Sequence, residues 1–72
     1  MTNTEELYRR IKESGLKKKY VAEALKLSRQ GFKNKCENKY FFTTEEVNTL
    51  CKLLKITKLT DKEHIFFATN VD

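Results

Sequence analysis

Seventy-two residues with a formal charge of +5, 39% hydrophobic and 35% charged, set narrow limits. A chain this short builds one domain around a small core, which excludes a deep substrate pocket and a second domain. With no proline and two glycines it lacks the turn chemistry that hairpins need, so the expected class is all-α: a compact bundle of about five short helices in a single domain over 1–72.

In chain order, Leu7 and Ile11, with Gly15 and Leu16 a turn beyond, predict a first amphipathic helix. It starts near Thr4 as N-cap and stops at Gly15. "KKKYVAEALKL" then places Tyr20 or Val21, Ala24 and Leu25 at helical spacing, with small Ala22 among them. This second helix is short and ends near Leu25. Ser28 is a good N-cap for a third helix over 29–38, whose apolar face is only Phe32 and Cys36. "TTEE" at 43–46 reads as a capping box opening a fourth helix with Val47, Leu50, Cys51 and Leu54. "TDKE" at 60–63 has the same form and predicts the start of a fifth, followed by Ile65, Phe66, Phe67 and Ala68.

The charge is unevenly spread. Residues 1–42 hold eleven Lys/Arg and five acids, whereas 43–72 hold four Lys and five acids. Within 16–39 alone eight basic residues face two acidic ones, a balance of +6. A polyanionic partner is one reading, and a solvated lysine-rich surface has the same composition.

Only about three residues separate the second and third helices, a gap that fits a helix-turn-helix with the third helix as reader. That geometry needs a small residue where the helices cross, which Ala22 supplies. It needs apolar residues around the turn, and Val21, Leu25 and Leu27 are placed for that. It also needs an apolar anchor one turn into the reader, which is Phe32.

On these residues the chain resembles the phage repressor/Cro-type helix-turn-helix family. The resemblance covers about residues 5–57, through "LYRRIKESGLKKKYVAEALKLSRQGFKNKCENK" and "FTTEEVNTLCKLLKI". It implies a small transcriptional regulator of a temperate-phage lysis/lysogeny switch, Cro-like or a modulator of repression, in the cytoplasm of a bacterial host. One position departs from the pattern: Lys26 stands where the family often has glycine. A left-handed lysine there costs on the order of 1 kcal/mol.

The resemblance implies that the first turn of the third helix faces DNA. Ser28 then caps the helix and offers its hydroxyl to a phosphate. Arg29 and Gln30 point into the major groove, where Arg pairs with guanine and Gln with adenine. Asn34 shares that face one turn on, and Lys33 lies beside it. Gly31 permits close approach at a cost of roughly 1 kcal/mol in helix propensity. Lys17, Lys18, Lys19, Lys35 and Lys39 read as phosphate contacts. The first three sit at a helix N-terminus, where they oppose the helix dipole unless an anion is present.

Elsewhere the sequence offers less chemistry. Cys36 and Cys51 form no disulfide framework and have no neighbours completing a zinc site, so both are expected as reduced core thiols. His64 stands alone, and no nucleophile–base arrangement can be drawn, so neither an enzyme nor a cofactor is expected. No segment approaches the eighteen or so apolar residues of a membrane span, and no signal-peptide stretch follows Met1. Tyr40, Phe41, Phe42, Phe66 and Phe67 suit core filling, with one or two left over. That surplus points to a homodimer through the last helix, since symmetric operators are read by dimers. An alternative partner for the basic face is the lysogeny repressor itself, gripped by an antirepressor through electrostatic complementarity.

Overall fold

The computed structural model describes residues 1–68, and in them the chain is all-helical. Five helices follow one another: α1 (Thr4–Ser14), α2 (Lys18–Ala24), α3 (Arg29–Cys36), α4 (Thr44–Leu53) and α5 (Leu59–Phe66). The core takes Leu7 and Ile11 from α1, Val21 and Ala22 from α2, Phe32 and Cys36 from α3, Val47 and Leu50 from α4, and Ile65 and Phe66 from α5. Each helix is too short to persist alone in water, so burial of these few side chains is what holds it. Phe42 bridges two elements from the intervening loop, its ring 6.2 Å from Phe32 and 6.1 Å from Phe66, both edge-to-face.

The turns that the composition does not supply come from non-glycine residues. Lys26, Asn38 and Lys55 all have positive φ, at 61°, 68° and 57°. At each, the next residue's amide reaches back across the helix end: Leu27 to Ala22, Lys39 to Asn34 and Ile56 to Cys51, at 2.8–2.9 Å. This left-handed termination ends α2, α3 and α4 in the same way. Gly15, at φ 79°, is the C-cap of α1, as its position in the sequence predicts.

The helix limits differ from expectation at three places. Asn3, not Thr4, caps α1, its side-chain oxygen accepting the Glu6 amide at 3.2 Å. Thr4 is drawn instead to the end of α3, where its hydroxyl donates to the Cys36 carbonyl at 2.5 Å. The third helix closes at Cys36, two residues early, because Asn38 turns left-handed. "TDKE" is no capping box: α5 begins at Leu59, and its N-cap, Lys58, makes no side-chain cap bond. Lys55 reverses the chain and Ile56 is buried immediately after it, so the helix starts before Thr60 can cap it. The box at α4 is present in full, with Thr43 and Glu46 bonding each other's amides.

The N-terminal segment closes the structure. The Asn38 side-chain amide grips Thr2 twice, accepting its N–H at 2.8 Å and donating to its carbonyl at 2.9 Å. Asn3 N–H donates to the Ile65 carbonyl at 2.6 Å, and Met1 and Ala68 pair through their main chains. Residues 1–3 therefore tie the end of α3 to the end of α5. No helix among the described residues is long and apolar enough to cross a membrane.

Candidate functional site

Residues 25–28 join α2 to α3, and the side chains around this connection lie where a helix pair needs them. Val21, Ala22, Leu25 and Phe32 are buried, and Leu27 packs against the same cluster. With a left-handed Lys26 the chain turns and presents Ser28 at the start of α3. Ser28 Oγ accepts the Gly31 amide at 3.0 Å, which satisfies one of the helix's free N–H groups. Its hydroxyl proton remains available to an acceptor outside the chain.

A groove of about 630 Å³ opens beside this turn. Its cationic lining comes from two elements, Lys18 and Lys19 at the start of α2 and Arg29 and Lys33 on α3. Gln30 lies between them, and Tyr8 and Phe32 contribute aromatic surface. Lys18 Nζ stands 3.8 Å above the Tyr8 ring, a cation–π contact that holds the ammonium at the groove. Burial, then the neighbouring Cys36 and Glu37, push the Tyr8 phenol up to about 12, so this wall stays uncharged near neutrality. Glu37 is the one acid in the lining.

Among the described residues the ion pairs involve Arg9, Arg10 and Lys35, and none involves these four groove cations. Four positive charges around one cleft repel one another, and an anion relieves that repulsion. A second groove, between α1 and the end of α4, holds Arg10, Glu13 and Lys55, so it carries both signs.

On α3 the exposed side chains are Arg29, Gln30 and Lys33, with Asn34 half-buried. Gln30 Nε2 donates to Asn34 Oδ1 at 2.9 Å, fixing two carboxamides one helical turn apart. Gln30 keeps its oxygen and one N–H, and Asn34 keeps both N–H groups. Gly31 has an ordinary negative φ, so the backbone does not demand glycine here. A Cβ would stand 3.1 Å from Ser28 Oγ, so the absent side chain also makes room for the cap.

The ten sequence-predicted residues do not form one set. Lys18, Lys19, Arg29, Gln30 and Lys33 line the groove, and Asn34 and Ser28 are bonded beside it. Lys17 and Lys39 are exposed but line neither groove. Lys35 is committed elsewhere: its ammonium bonds both oxygens of Glu46 at 2.7 and 3.0 Å, with both side chains mostly covered. Burial works against the Glu46 charge, yet Lys35 and the Thr43 amide together hold its carboxyl below the usual range. Tyr8 went unseen in the sequence, since it lies one step off the Leu7–Ile11 stripe and only the fold brings it under Lys18.

Both cysteines are free. Cys36 is buried, and burial pushes its thiol up to about 12; Cys51 is half-buried and raised for the same reason. Neither thiol is poised to react near neutral pH. No family model, curated protein or solved structure matches this chain.

Proposed function

We propose that this protein is a transcriptional regulator that binds operator double-stranded DNA with α3 in the major groove, as the resemblance to phage repressor/Cro-type helix-turn-helix proteins implies. The observation that carries this reading is the groove beside the α2–α3 turn. Its four cations lack carboxylate partners, and they flank a helix face bearing Gln30 and Asn34.

In this reading the cations divide by task. Lys18 and Lys19 neutralise backbone phosphates and set register, and the Ser28 hydroxyl adds a neutral donor. Arg29 and Lys33 reach guanine O6 and N7 from the same side. Gln30 retains the acceptor–donor pair that matches adenine N6 and N7, and its bond to Asn34 holds that pair in one orientation before DNA arrives. Preorganisation of this kind lowers the entropy cost of binding. Glu37, the C-cap of α3 and the one acid in the groove lining, disfavours phosphate at that end of the groove.

The test is fluorescence anisotropy with duplex from the gene's own upstream region and a scrambled duplex, at two salt concentrations. Nanomolar selective binding with a steep salt slope is expected. Weak and equal binding to both duplexes would overturn the DNA reading. The basic face would then be tested against the neighbouring lysogeny repressor, the partner an antirepressor would grip.

A further inference from the structure

The groove beside the α2–α3 turn gathers four cations and one carboxylate, Glu37, which leaves a balance of +3 within about 630 Å³. That volume lies in the range of small-molecule sites. The cations come from two elements, Lys18 and Lys19 of α2 and Arg29 and Lys33 of α3, so no single helix face carries the charge. None of the four pairs with a carboxylate among the described residues. A duplex meets such a site with singly charged phosphodiesters strung along each strand. A diphosphate instead gathers about three negative charges into one small group near neutrality. Its charge equals that of the groove, in a volume the groove can hold.

We propose that the groove is a binding site for a small diphosphate-bearing anion, either free pyrophosphate or the diphosphate of a nucleotide. Lys18 is held ready, since its Nζ already stands 3.8 Å above the Tyr8 ring and loses little freedom on meeting the anion. Arg29 offers a planar fork that takes two phosphate oxygens at once, and Lys19 and Lys33 add point charges. Glu37 repels phosphate at the end of α3, so the anion seats towards the start of that helix. Gln30, also in the lining, keeps its oxygen and one N–H, the pair that a nucleobase edge requires. Diphosphate binding stands on the groove alone; only its competition with DNA rests on the DNA reading.

The experiment is isothermal titration calorimetry of the full chain at low salt with pyrophosphate, adenosine diphosphate and orthophosphate, with circular dichroism to confirm folding of each variant. Pyrophosphate is expected to bind one to one with micromolar affinity, at least tenfold tighter than orthophosphate. Adenosine diphosphate binding tighter still assigns the ligand to nucleotides; binding no tighter assigns it to the free diphosphate. Arg29→Ala and Lys19→Ala are each expected to weaken binding at least fivefold. Lys52→Ala, which removes the same charge from an exposed position outside both grooves, is expected to leave it unchanged. Pyrophosphate that binds no tighter than orthophosphate overturns the proposal, as does an equal loss in Lys52→Ala and Arg29→Ala, since both describe diffuse attraction to a basic chain. Where DNA binds as well, saturating pyrophosphate at constant ionic strength is expected to weaken operator binding at least fivefold, and undiminished DNA binding would overturn the shared use of the groove. A chain that binds pyrophosphate but not operator would count against the DNA reading alone, and one that binds operator but not pyrophosphate overturns this site alone.

Discussion

Lys35 Nζ lies 2.7 Å from Glu46 Oε1, and that same oxygen accepts the Thr43 amide at 2.9 Å. One carboxylate thus closes the capping box of α4 and pins α3 to it. Replacing Glu46 with alanine removes both bonds. Thr43 still caps α4, but its own amide loses an acceptor, at about 1 kcal/mol, and the lost pair costs about 1 kcal/mol more, so urea unfolding of Glu46→Ala is expected to show a loss of about 2 kcal/mol.

If α3 reads DNA as proposed, the same pair sets Lys35 apart from the groove cations. Lys18→Ala is expected to weaken binding uniformly across sequences and to lower the salt slope by about 1. Lys35→Met is expected to leave that slope unchanged while lowering stability. Equal effects of the two changes on the slope would mean that Lys35 leaves Glu46 to meet phosphate.

Gln30 and Asn34 present a different signature. Gln30→Ala is expected to cost about 1–3 kcal/mol on operator and little on scrambled DNA, since a base contact discriminates and a phosphate contact does not. Asn34→Ala releases Gln30 from its partner, so a smaller loss on operator is expected. A change that is equal on both duplexes would remove Gln30 from base reading.

Helix number and most of the core were legible in the sequence because both depend on local periodicity. Val47 and Leu50 on α4, or Leu7 and Ile11 on α1, announce a buried face by their spacing. What stayed hidden depends on contacts between distant segments. Nothing in "MTN" signals that Asn38 will hold Thr2, or that Asn3 will outcompete Thr4 as a cap once Thr4 is bonded to Cys36. Tyr40, Phe41 and Phe67 are all exposed, where the sequence suggested that core filling would take most of the aromatics. Phe42 packs edge-on between Phe32 of α3 and Phe66 of α5, while its chain neighbour Phe41 and that of Phe66, Phe67, stay exposed.

Asn38 combines a left-handed backbone with two side-chain bonds, and two substitutions separate these roles. Asn38→Gly keeps the backbone and loses the bonds to Thr2, for a cost of about 1–2 kcal/mol. Asn38→Ala adds the strain of a left-handed residue, about 1 kcal/mol beyond the glycine variant. The ordering of the two urea midpoints checks it. Equal midpoints would mean that φ at this position relaxes once the grip on Thr2 is gone.

Acid should weaken the fold through Glu6. Hydrogen bonding from Arg9 outweighs the opposing effect of burial and, with Arg10 assisting, holds the Glu6 carboxyl at about 2 against an ordinary 4.5. A carboxyl depressed in the folded state binds fewer protons there than in the unfolded chain, so its contribution is full above about 4.5 and fades as pH falls towards about 2. The Tm is expected to fall across that window, and Glu6→Gln is expected to flatten the fall. An equally steep fall in the variant would assign acid sensitivity to other carboxylates.

Lys26 holds φ at 61° in the connection that sets α3 against α2, and its side chain is exposed. A lysine in the left-handed region pays a steric cost that glycine does not, while glycine loses more backbone freedom on folding. The first effect is the larger at a position fixed in that region, so Lys26→Gly is expected to raise stability by up to about 1 kcal/mol in urea unfolding. Because the turn geometry is retained, operator selectivity should stay the same, with at most a slightly shallower salt slope from the lost charge. A destabilised Lys26→Gly would show that the lysine stem contributes packing along the turn that outweighs its backbone strain.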